Sequence, residues 1–152
     1  MNCQDWIDQF GKPADDPQIK SLIAEAGITK PIKLGREDIT VRADIKPIGM
    51  TVIFTDESIL KPDGGRVGKP VLSGVMMVIQ RKSGNVYTGK LPYGLAKNQA
   101  QKDLRARLGT PGQINEKYQT DGWTIDGKTV AVSYTEDLSS VIQVSVTLPK
   151  RD

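Results

Sequence analysis

Apolar residues recur at helical spacing near the start and the middle of this chain, and alternate with polar ones over six shorter stretches. Trp6, Ile7 and Phe10 share one side of a short helix over 3–10, which Gly11 and Pro13 end. Ile19, Leu22, Ile23 and Ala26 predict a second helix, with Asp15 or Asp16 as its cap, Pro17 in its first turn and Gly27 as its stop. Ala100, Leu104 and Leu108 predict a third over 97–108, with Asn98 as a possible cap and Gly109 and Pro111 beyond it. Period-two alternation predicts strands at 39–45, 50–56, 71–80, 117–125, 129–135 and 141–148. Asp126-Gly127 between two of these is a two-residue hairpin signal.

The elements come in the same order twice. Leu22 and Gly27 align with Leu104 and Gly109, VIFTDE (52–57) aligns with VSYTED (132–137), and SGVMMV (73–78) aligns with SSVIQV (139–144). The first copy carries extra residues in the Gly/Pro loop 58–70, SILKPDGGRVGKP. The predicted fold is α+β: two tandem pseudo-repeated units, each a helix packed on a three-stranded antiparallel meander, plus an N-terminal helix. The units divide as 1–86 and 87–152 within one compact globule.

Alternation assigns faces. In the second unit Val130, Val132, Tyr134, Ile142, Val144, Val146 and Leu148 point one way, leaving a flat polar face to water. The matching inward residues of the first unit are Val52, Phe54, Met76 and Val78. Its outward set, Ile53, Val75, Met77 and Ile79, is too apolar to be simply wet. Either the helix carrying Trp6 and Phe10 covers that face, or a partner or second copy does.

Charge adds a second pattern. Residues 1–27 hold two Lys against five Asp/Glu, whereas residues 58–111 hold ten Lys/Arg against Asp63 and Asp103. A basic block can steer an acidic partner or can be ordinary solvated surface. Aromatics make up 5% of the chain and few interleave with the basic residues, so nucleic acid is not the expected partner. No apolar run is long enough to span a membrane and the N-terminus lacks a signal-peptide pattern. Cys3 is the single cysteine, which fits a reducing compartment, so a cytoplasmic location is expected.

The chemistry that the chain can carry is narrow. It contains no histidine, which removes Ser-His-Asp and Cys-His catalysis and most catalytic zinc sites. Asp56-Glu57 and Glu136-Asp137 can act as acid and base or hold a hard cation, but read more simply as polar strand ends. Three residues separate Gly64 from Gly68-Lys69 where a phosphate loop has four, and Pro70 stands where it needs a hydroxyl, so that motif fails. The expectation is no enzyme, no metal and no cofactor. The loop remains a plausible mobile basic contact element.

The segment YTGKLPYGLAKNQAQKDLRARLGTP (87–111), with DGWTIDGKTVAVSYTEDLSSVIQVSV (121–146), resembles the small immunity proteins that accompany bacterial polymorphic toxins. Tyr87, Gly89, Leu91, Pro92, Gly94, Leu95, Leu108, Gly109 and Pro111 carry the likeness. The helix–LGxP–three-strand unit also resembles outer-membrane assembly lipoproteins of the SmpA/BamE type and, in tandem, the β-lactamase inhibitor protein. The resemblance implies a non-enzymatic inhibitor, a monomer or weak homodimer, that binds a cognate toxin effector domain and neutralises it. The alternative it implies is an envelope-assembly or scaffold module. Arg66, Lys69, Tyr93, Arg105 and Trp123 are the expected partner contacts.

Overall fold

Strand-forming alternation dominates the chain, and its product is one antiparallel sheet of seven strands with few helices. The computed structural model describes residues 1–150. The strands are β1 (Thr40–Ile45), β2 (Met50–Asp56), β3 (Pro70–Val78), β4 (Gln113–Asn115), β5 (Thr120–Ile125), β6 (Lys128–Tyr134) and β7 (Val141–Thr147). Their order is β1-β2-β3-β7-β6-β5-β4. The pairing of β3 with β7 makes the sheet continuous across residue 86. The helices are α1 (Cys3–Ile7), α2 (Pro17–Glu25), α3 (Glu57–Leu60) and α4 (Gln101–Leu108).

Local chemistry explains several boundaries. The Asp16 carboxylate accepts the Gln18 N–H at 2.9 Å and Pro17 opens α2. Gly27, at φ 75°, follows its last turn. Helix α4 begins later than the sequence predicts, and Asn98 does not cap it. The cap position is Ala100, and the Gln101 N–H is satisfied by the Leu138 carbonyl at 3.0 Å. A turn between strands thus supplies a cap that no local pattern could announce.

The face assignment for β3 needs correction. Val75 and Met77 are fully buried and Ile79 nearly so, whereas Met76 and Val78 are only half-buried. The cause is a register shift between Ile53 and Phe54: Ile53 pairs with Gly74 but Phe54 with Leu72, so Ser73 is the extra residue. A second shift, between Ser133 and Tyr134, puts Val141 in the core and leaves Ile142 half-buried. Phe54 and Leu72, Val52 and Val75, and Met50 and Met77 therefore share the core face, continued by Val144, Val146, Val130 and Val132. Trp6, Ile19 and Leu104 pack in the same cluster. Helix α1 thus covers β3 on its core side.

The opposite face carries short side chains in cross-strand rows. One runs Arg42, Ile53, Gly74, Thr147, Thr129, Thr124; the next runs Asp44, Thr51, Met76, Ser145, Ala131, Gly122, Gln113. Among the residues of these rows only Arg42 and Asp44 carry charge.

Candidate interaction surface

The loop between β2 and β3 begins with two acids, and these decide its shape. Asp56 is 6% exposed, and its carboxylate accepts the Ser58 N–H (3.0 Å) and Ser58 hydroxyl (2.7 Å) on one oxygen. Its other oxygen reaches across the loop to the Gly68 N–H at 2.8 Å. Burial opposes ionisation of Asp56, but these donors outweigh it and hold the group below the usual carboxylate range. Glu57 accepts the Arg66 N–H at 2.9 Å and is likewise held low by that bond and by the charges of Lys69, Lys61 and Arg66. Backbone bonds from Glu57 N–H to the Lys69 carbonyl and from Gly65 N–H to the Lys61 carbonyl close the loop further.

The basic loop expected to be mobile is therefore pinned at both ends and in the middle. Its apex is Val67, 86% exposed, between Arg66 and Gly68. A rigid apex loses little conformational entropy when it docks. Beside the first half of the loop, Leu60 from α3 and Val71 line a recess of about 380 Å³ with Lys61, Asp63 and the hairpin residue Gly127.

Of the five expected contacts, Arg66 and Lys69 lie together on this loop. Tyr93 is half-buried in the single helical turn Pro92–Gly94, at φ 58°, ψ 28°. The Arg107 guanidinium fixes it by donating to the Tyr93 carbonyl at 2.8 Å and to the Gly94 carbonyl at 3.3 Å. Burial pushes the Tyr93 hydroxyl up in pKa, with the charge of Asp126 adding to it. Asp126 belongs to the hairpin tip whose Gly127 lines the recess beside the loop.

Arg105 and Trp123 are placed differently. Arg105 forks onto Asp121, Nε to Oδ2 at 2.9 Å and Nη2 to Oδ1 at 2.8 Å, and Asp121 is fully buried. The Tyr134 hydroxyl donates to the same carboxylate at 3.1 Å. Trp123 is 5% exposed and donates its Nε1–H to the Gly109 carbonyl at 3.0 Å. Both side chains fasten α4 to β5; Trp123 is buried in doing so, whereas the Arg105 side chain stays 36% exposed.

The paired acids do not meet. β2 and β6 run in opposite directions, so Asp56 and Asp137 lie at opposite ends of the sheet, separated by roughly 20 Å of strand. Asp137 repeats the role of Asp56: it accepts the Ser139 N–H (3.1 Å) and the Ser139 and Thr135 hydroxyls (both 2.7 Å). Those bonds lower its pKa to about 2. Among the described residues no group of three or more His, Cys, Asp or Glu is arranged to hold a metal ion. Nor is any helix there long and apolar enough to cross a membrane.

Val67 and Arg107 are the residues that sequence reasoning missed. Val67 interrupts a Gly/Lys/Arg stretch, which is a signal in itself, whereas nothing local marks Arg107. Comparison with protein-family models, curated proteins and solved structures gives no match to this chain.

Proposed function

We propose that this chain is a non-enzymatic immunity protein that binds a cognate toxin effector domain and neutralises it in the cytoplasm. The observation that carries the reading is the pinned loop 57–69, which presents Arg66, Val67 and Lys69 on a frame of carboxylate-to-backbone hydrogen bonds. A rigid apolar tip flanked by cations suits a contact made by shape and steering charge. Tyr93, fixed by Arg107 near the same sheet end, extends the contact. Trp123, buried, drops out of the contact set, and Arg105 serves first as a fastening of α4 through Asp121.

The reading includes a duplicated helix-plus-meander unit. The two register shifts fall at Ile53/Phe54 and Ser133/Tyr134, residues that the sequence repeat aligns, and shortly after them Asp56 and Asp137 each accept hydrogen bonds from the serine two residues on. A duplicated sheet gives an inhibitor a broad, stiff platform.

Co-expression in a bacterial host tests the function. The C-terminal domain of whatever protein is encoded immediately upstream of this gene is expressed alone, where the proposal expects it to be toxic, and together with this chain. Growth restored by the chain, and lost again with Arg66→Glu plus Lys69→Glu, supports the proposal. Unchanged toxicity in the presence of folded chain sinks it.

A further inference from the structure

Resting on the protein-binding reading, we infer that a second recess, between α2 and the start of β3, docks an acidic segment of the protein partner that carries aliphatic side chains. This recess, of about 380 Å³, is bounded by α2, the segment 28–32 and Lys69-Pro70. Ile23, Ile28 and Ile32, all half-buried, give it an apolar floor. Lys20, Lys30 and Lys69 stand around it, with Asp15 the single acid among its lining residues. Among the described residues the one ion pair is that between Arg105 and Asp121, so the three lysine ammonium groups carry no salt-bridge partner. Three lysines against one lining acid, over aliphatic walls, match carboxylates interleaved with leucine-like side chains: the acids answer the excess cations while the aliphatic groups fill the floor. A polyanion without apolar groups would satisfy the lysines and leave the isoleucines wet. Lys69 joins this recess to the pinned loop, so one partner segment can lie along both.

The test is an amide chemical-shift titration of the full chain with a short peptide alternating glutamate and leucine. Controls are its glutamine–leucine counterpart and a single-stranded oligothymidylate. Saturable shifts confined to residues around Lys20, Ile28 and Lys69, absent with the glutamine peptide, are expected. Lys20→Glu with Lys30→Glu weakens that binding by about tenfold or more. No saturable shift, equal binding of the glutamine peptide or the oligonucleotide, or full retention by the double variant overturns the inference. The two readings fail separately. A toxin domain bound and neutralised equally by wild type and Lys20→Glu/Lys30→Glu removes the recess and leaves the inhibitor. Peptide binding without protection from any toxin removes the inhibitor.

Discussion

Side chains that look like binding anchors in a sequence are often engaged within the molecule: Trp123 is buried, and Arg105, though 36% exposed, is tied to the buried Asp121. Trp123 is buried with its indole N–H bonded to the Gly109 carbonyl, so Trp123→Phe removes one hydrogen bond and leaves the surface unaltered. It is expected to cost about 1 kcal/mol in a urea unfolding curve and to leave partner affinity unchanged. Arg105→Ala is expected to cost more, about 2 kcal/mol, because it strands the buried Asp121 carboxylate; the figure allows for the partial exposure of the guanidinium. Here the pair raises the Arg105 pKa chiefly through the Asp121 hydrogen bonds, so the arginine stays charged throughout the accessible range. Had Trp123 been a contact, Trp123→Phe would change affinity first and stability second.

Elements were legible in the sequence where their cause is local. Asp16 and Pro17 announce α2, Gly27 follows its last turn, and Asp126-Gly127 makes the β5–β6 turn, with φ 51° and 73°. Where the cause lies elsewhere in the chain, the sequence was silent. Helix α3 was hidden because Asp56-Glu57 reads as a strand end, whereas the Asp56 carboxylate turns back to cap it. The face of β3 was misjudged because one extra residue, Ser73, inverts alternation, and its one signal, the neighbouring Gly74 inside a strand, does not by itself fix the register. β4 is three exposed residues without an apolar pattern. Of the candidate surface, Arg66 and Lys69 were legible as basic loop residues, but the clamp that stiffens them was not, since it needs Asp56 and Gly68 to meet across twelve positions. That clamp makes a prediction. The amides of Arg66 and Gly68 should exchange slowly with solvent deuterium, and Asp56→Ala with Glu57→Ala should speed both by about tenfold or more while β6 and β7 amides keep their protection.

At the scale of the whole molecule, acid stability follows from the strand-end aspartates. The pKa of Asp137 is lowered in the fold from 3.8 to about 2, and that of Asp56 is lowered as well. A group whose folded pKa is depressed stabilises the protein fully above its unfolded value and loses that contribution as pH falls through the folded one. Stability should therefore hold down to about pH 4 and decline towards about pH 2. Asp137→Asn should be less stable than wild type at pH 7, with the difference narrowing across that window, as urea midpoints measured at stepped pH would show. The continuous sheet, with its core on one face and mostly short side chains on the other, gives the pinned loop a rigid mount. The paired acids stand at opposite ends of this sheet, and Val67 at the tip of the pinned loop reaches outward.

The most direct test of that account is a pull-down of the tagged protein from its native lysate through a high-salt wash, run beside an Arg66→Glu, Val67→Asp, Lys69→Glu variant shown to fold. Retention of one large protein through its C-terminal toxic domain by wild type, and its loss by the variant, is the predicted result. Wild type retaining no such protein, or the variant holding it equally well, would contradict the claim that the pinned loop makes this chain a toxin-binding protein.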